Sequence, residues 1–176
     1  MSSNQLQDPF WKISYLSSIE DTLLQGIAMS NPEDWIQYYS FDTLPVPGAI
    51  LMKDPLLDWL HRRHPFTAGI LSMKPHSYYN WHTDSRRGVC LNMIVGQGGH
   101  HHSMFSDGDN LTGNFTELKY EPGVYYIFDN QVRHTVYNFD KPRWLFSTEF
   151  AEDKDSLTFE MLAYEISELM DELKNE

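Results

Sequence analysis

The chain has 176 residues, with 13 Lys plus Arg against 25 Asp plus Glu, a formal charge of −12. Its 41% hydrophobic and 14% aromatic content is that of a globular domain with a full core and excludes a disordered polymer. The acidic surplus argues against nucleic acid as a partner for the surface at large, and the single cysteine, Cys90, excludes an intrachain disulfide.

The opening MSSNQLQDPFWKIS has neither the basic start nor the apolar core of a secretory signal. No apolar run approaches the roughly 20 residues that span a bilayer. A soluble, cytoplasmic protein is expected, with no membrane partner.

In chain order, residues 1–66 read as short helices and loops. NPEDWIQYYS predicts a helix capped by Asn31 with Pro32 at its first position. DPLLDWLHRR predicts another, capped by Asp54, with Leu56, Leu57 and Leu60 on one face and basic residues at its end. From about Ala68 to Phe150 the pattern changes to short apolar or alternating runs: AGILSM, GVCLNMIV, HSMFS, GVYYIF, RHTVYNF and RWLFSTEF. Turn segments such as GQGG, SDGDN, EPG and FDKP separate them, which predicts an antiparallel sandwich or barrel over residues 67–150. Residues 155–175 return to helical spacing. Leu157, Met161, Leu162, Leu169 and Leu173 are placed on one face, and acids on the other. The three parts are read as one domain.

The chemistry concentrates in NWHTDSRRGV, residues 80–89. Side chains two apart on a strand point the same way, about 7 Å apart along the backbone, so His82 and Asp84 can close on one ion. The alternative is a surface strand or a plain His–Asp hydrogen bond. Two ligands bind weakly, and His134, at the start of a strand after a polar turn, is the best third ligand among the remaining histidines. Nine residues on, Arg143 opens the strand RWLFSTEF, where an inward guanidinium needs an anionic partner. Two histidines and a carboxylate form the facial set that leaves coordination positions open on Fe(II). A 2-oxo acid can chelate such an ion while a guanidinium grips its distal carboxylate.

With these residues in place, the stretch from about 70 to 150 resembles the 2-oxoglutarate/Fe(II)-dependent oxygenases, and within them the aspartyl/asparaginyl β-hydroxylase group. SMKPHSYYNWHTD resembles that group's strand with a proline seven residues before the first metal histidine, here Pro75 and His82. EPGVYYIFDNQVRHTVYN resembles its second signature through Phe128, Asp129 and His134. The resemblance covers roughly half the chain. It implies a mainly β, double-stranded β-helix (jelly-roll, cupin-like) core with flanking helices. It further implies Fe(II) on His82, Asp84 and His134, and 2-oxoglutarate as co-substrate with its distal carboxylate on Arg143. Met73 and Asn92 match positions lining the co-substrate pocket. The implied reaction is C–H hydroxylation of an amino-acid or peptidyl substrate with release of succinate and carbon dioxide. Some well-known members of the hydroxylase group lack the carboxylate ligand, whereas this chain has Asp84, closer to the ordinary triad.

Other residues carry two readings each. Arg86 and Arg87 either meet an acidic substrate or pair with surplus acids. Tyr79 and Tyr78 are the first choices for an aromatic substrate wall, although packing is the commoner role of SYYNW. Within GGHHHSMF only His100 and His102 can share a strand face, as a second metal site or, more ordinarily, at a solvated entrance. Cys90 reads as a small core residue. The competing function is a cupin-like barrel that binds Zn or Mn as a binding protein or isomerase. Such a barrel has no need of Arg143 facing the metal.

Overall fold

The computed structural model describes residues 8–38, 40–108 and 113–174, without the side chains of 173 and 174. Residues 1–7 of the N-terminal stretch, part of the SDGDN turn, the Leu173 side chain and the end of the C-terminal helix lie outside the described residues.

Eleven strands and four α-helices are described. In order they are β1 (Phe10–Leu16), α1 (Glu20–Met29), β2 (Ile36–Tyr38), β3 (Phe41–Pro45), α2 (Gly48–Leu51), α3 (Pro55–Arg63) and β4 (Phe66–Met73). There follow β5 (Ser77–His82), β6 (Val89–Ile94), β7 (His101–Ser106), β8 (Phe115–Leu118), β9 (Val124–Asp129), β10 (Arg133–Asn138), β11 (Arg143–Phe150) and α4 (Phe159–Lys174). A seven-stranded antiparallel sheet runs β1-β9-β6-β11-β4-β3-β2, and a four-stranded one runs β5-β10-β7-β8. From β4 onward the chain passes back and forth between the sheets, returning within one sheet only at the β7–β8 hairpin. This is the winding of a double-stranded β-helix, as expected.

The larger apolar cluster lies on the outer, helix-covered face of the seven-stranded sheet. Leu91 and Met93 of β6, Tyr125 and Ile127 of β9, and Phe146 of β11 meet Leu57, Leu60, Leu162 and Ile166 there. The inner face holds a smaller cluster of Cys90, Phe105, Leu118, Val124, Tyr126 and Phe128. β6 is buried throughout, which explains why GVCLNMIV reads as one continuous apolar run. Alternation still divides its faces, sending Leu91 and Met93 to the helices and Cys90 and Asn92 inward. The core is thus supplied mostly by the sheet–helix layer, and the space between the sheets is left for polar groups.

Three expectations change. NPEDWIQYYS forms only one 3-10 turn, Pro32–Asp34, closed by the Asn31–Asp34 capping box, before the β-favouring Ile36–Tyr38 pairs with β3. The N-terminal part is not only helices and loops, since β1, β2 and β3 extend the seven-stranded sheet at both ends. In β1, Trp11, Ile13 and Tyr15 pack on the outer cluster while Phe10 turns to the inner one, a period of two confined to a short segment. On α4, Met161 is exposed, and Phe159, Leu162, Ala163, Ile166 and Met170 form the buried face. The α3 helix is as read: Asp54 Oδ1 accepts from the N–H groups of Leu56 and Leu57. No described helix is long and apolar enough to cross a membrane.

Candidate metal centre

The antiparallel pairing of β5 with β10 sets His82 directly opposite His134, with ring centroids 4.2 Å apart. The register slips by one between His134 and Val136, an irregularity beside the site. Each ring is oriented by its own backbone two residues earlier. His82 Nδ1 lies 2.7 Å from the Asn80 carbonyl and His134 Nδ1 lies 2.9 Å from the Val132 carbonyl. A carbonyl can only accept, so both Nδ1 atoms carry a proton, which leaves Nε2 as the ring nitrogen of each that a metal can bind.

Asp84 arrives differently from the strand periodicity expected of it. β5 ends at His82, and Asp84 sits in the following turn, where its N–H donates to the Asn130 carbonyl. The polar, turn-forming DSRRG cannot extend the ladder, and the β9–β10 turn fixes it instead. Ligand atoms of His82, Asp84 and His134 lie within 4.8 Å of one another. Among the described residues this is the one such group, so His100 and His102 do not complete a second.

The electrostatics suit a cation. Burial pushes His134 down to about 4, so its lone pair is available at neutral pH. Burial opposes ionisation of Asp84, but its neighbours His82 and Arg87 outweigh it and lower its pKa. Two imidazole Nε2 atoms and a carboxylate oxygen match the donor set of an Fe(II) site with open positions.

Further along the interior lies Arg143, 2% exposed at the start of β11 and opposite Met73 in register. Its NH2 donates to Ser103 Oγ at 3.3 Å, and its guanidinium sits 5.7 Å from the Tyr120 ring centroid. Its Nε has no partner, and no described carboxylate pairs with it. Two of the other unpartnered buried atoms belong to this cluster: Nδ1 of His101, a neighbour of Arg143, and Oδ1 of Asn92, whose Nδ2 lies 3.5 Å from the Tyr120 hydroxyl. A buried cation without an anion is expensive, so this cluster fits a ligand that brings negative charge.

His101 and Ser103 were not read as site residues, and strand alternation carried the signal for both. Ser103 contacts Arg143 and Phe105 packs near His134, so the same face of β7 includes His101. The middle histidine of HHH is therefore the interior one, held down to about 4 by burial and by Arg143. His100 and His102 share the opposite face around Phe139. Arg87 is bound to Asp84, the pairing alternative for that residue, whereas Arg86 is exposed. Tyr79 packs edge-on against His82 at 4.2 Å, and Tyr78 is exposed against Tyr137. A cavity of about 490 Å³ lined by Ser40, Tyr78, Tyr79, Asn80, Trp81 and His82 opens beside the site. Cys90 is buried in the inner cluster.

Fold and site together define a double-stranded β-helix protein with a two-histidine, one-carboxylate centre. No protein-family model and no curated protein matches the chain. Solved structures match its fold. A Pseudomonas putida prolyl-4-hydroxylase superposes with a TM-score of 0.65 at 12% identity, covering 85% of this chain and 95% of that one. A Trichoplax adhaerens prolyl hydroxylase in complex with a hypoxia inducible factor peptide gives 0.63 at 13% identity, covering 84% and 86%. HygX from Streptomyces hygroscopicus, with nickel, 2-oxoglutarate and hygromycin B bound, gives 0.62 at 9% identity, covering 86% and 88%.

Proposed function

We propose that the protein is an Fe(II)- and 2-oxoglutarate-dependent dioxygenase that hydroxylates a C–H bond of an amino-acid or peptidyl substrate. The observation that carries this reading is Arg143, a buried guanidinium with no anionic partner among the described residues, in the same interior as an open-faced His–Asp–His triad. Nε2 of His82 and His134 and a carboxylate oxygen of Asp84 would hold the iron. Arg143, with the Ser103 hydroxyl beside it, would hold the distal carboxylate of 2-oxoglutarate, with Asn92, Met73 and His101 around it. When bound, iron and 2-oxoglutarate supply, with dioxygen, an oxidant able to hydroxylate an unactivated carbon, releasing succinate and carbon dioxide.

The chain's own contribution is orientation and exclusion of water. Phe105 and Phe128 pack against His134 and close the inner side of the centre. Tyr79 and the cavity beside His82 supply the open side for substrate, with Arg86 exposed nearby for an acidic group. The 2-oxoglutarate in the HygX structure and the peptide in the Trichoplax one support the co-substrate and the substrate class. The Pro75–His82 and Phe128–Asp129–His134 signatures favour the aspartyl/asparaginyl group. The cupin-like alternative leaves Arg143 without a role.

The test is anaerobic addition of Fe(II) and then 2-oxoglutarate, watching for the visible charge-transfer band of the chelate. A band abolished by His134→Ala and weakened by Arg143→Ala is expected. Tight Zn or Mn binding with no band for Fe(II) would overturn the proposal in favour of a binding barrel.

A further inference from the structure

A carboxylate can hold a cation through one oxygen or both, and a single-oxygen ligand leaves more of the metal open to other groups. The two oxygens of Asp84 have unequal surroundings. Oδ2 accepts from Arg87 Nε at 2.8 Å and from Asn130 Nδ2 at 2.8 Å, and Arg87 NH2 lies 2.6 Å from it. An oxygen has roughly two lone-pair sites, so Oδ2 is fully taken. Oδ1 is turned toward the histidines, 3.5 Å from His82 Nε2.

The donors are themselves braced. Gln131 Nε2 donates to the carbonyls of Asp84 at 2.9 Å and Arg87 at 2.7 Å. The Asn130 N–H donates to the Gly88 carbonyl at 3.0 Å. Gly88 closes the frame from behind, where a Cβ would lie 2.5 Å from the Leu157 carbonyl oxygen and 2.8 Å from that of Lys154. Residues 84–88 are thus clamped between the β9–β10 turn and the segment leading into α4.

Resting on the proposed metal site, we propose that Arg87 and Asn130 are positioning residues that hold Asp84 as a one-oxygen ligand. They reserve Oδ1 for the ion and keep Oδ2 off it, so a coordination position stays open for a small ligand. The fork of Arg87 is specific to this task, because its Nε and NH2 both reach a single oxygen.

Positioning and simple charge predict opposite signs. Removing a cation next to a metal site tightens cation binding by electrostatics alone, whereas releasing the carboxylate weakens it. The experiment is Co(II) titration of the metal-free protein, followed by visible absorption, for wild type, Arg87→Gln, Arg87→Lys and Asn130→Ala. Arg87→Gln is expected to weaken Co(II) binding about tenfold or more. It should also change the intensity of the Co(II) ligand-field bands as Oδ2 becomes free to chelate. Arg87→Lys restores the charge but not the fork and recovers only part of the affinity. Asn130→Ala, which leaves the ion pair intact, shifts both readouts in the same direction by less, so the result does not depend on Arg87→Gln folding. Unchanged or tighter Co(II) binding with unchanged bands in Arg87→Gln and Asn130→Ala overturns the positioning role while leaving the metal site standing. Absence of Co(II) binding by wild type overturns both.

Discussion

Replacing Arg143 by methionine should stabilise the ligand-free protein while weakening its response to 2-oxoglutarate. The guanidinium is 2% exposed and keeps only a 3.3 Å bond to Ser103 and the Tyr120 ring at 5.7 Å. Burial lowers its pKa, and the tyrosine is the one offsetting influence. Losing the hydrogen bond costs about 1 kcal/mol and losing the ring contact about as much at most. Burying the charge costs several kcal/mol, so its removal leaves a net gain of about 1–3 kcal/mol. For a chain of this size that is a rise of roughly 2–12 °C in Tm. Wild type loaded with Mn(II) should gain about 2.7 kcal/mol more from 2-oxoglutarate at a hundred times its Kd, and Arg143→Met should gain clearly less at the same concentration. Thermal melts with and without Mn(II) and 2-oxoglutarate read both effects. A variant that melts below wild type without ligand would refute the unpaired-charge argument. A variant that shifts with 2-oxoglutarate as much as wild type would refute the assignment of its carboxylate to Arg143.

Three further outcomes follow from the same geometry. His82→Ala or His134→Ala, each removing one of three donors, should lower Mn(II) affinity by more than the about 10–100-fold typical of outer-shell partners, measured by equilibrium dialysis. Asp54→Ala should cost about 3–5 kcal/mol by chemical denaturation and spare metal binding. Its buried carboxylate caps α3 and also accepts from the Ser18 N–H at 2.9 Å and the Tyr125 hydroxyl at 3.2 Å, on the helix side of the sheet.

Stability of the metal-free protein should peak near neutral pH, measured by melts across pH 4–9. His101 and His134 are held down to about 4 by burial, against 6.5 when unfolded, so their contribution is present above 6.5 and lost as pH falls toward 4. For His64 burial opposes protonation, but Glu152 and Glu165, each 3.0 Å from a ring nitrogen, raise its pKa. Its contribution is present below 6.5 and lost as pH rises through the raised value, so His64→Gln should remove the alkaline decline.

What could be read from the chain was whatever depends on near neighbours. The apolar runs between turn residues define the β core, Asp54-Pro55 starts α3, His134 and Arg143 stand out as ionisable side chains on apolar strands, and His82 and Asp84 stand out as a His-x-Asp pair. What failed was local pattern over too short a span. Trp11, Ile13 and Tyr15 alternate, but one short run does not announce that it will pair with β9. The Asn31-Pro32 helix start is real, yet sheet pairing takes the chain after one turn.

Only the tertiary structure decided how the site is assembled. Asp84 owes its place to Asn130 and Gln131, more than forty residues away in sequence, and not to the strand it follows. Which histidine of HHH faces inward, and that Arg87 grips Asp84, depend on register and on turns meeting across the barrel. Sequence fixes which groups carry charge and lone pairs. The long-range hydrogen bonds that aim them, and the burial that leaves Arg143 without a counter-ion among the described residues, exist only once both sheets have closed.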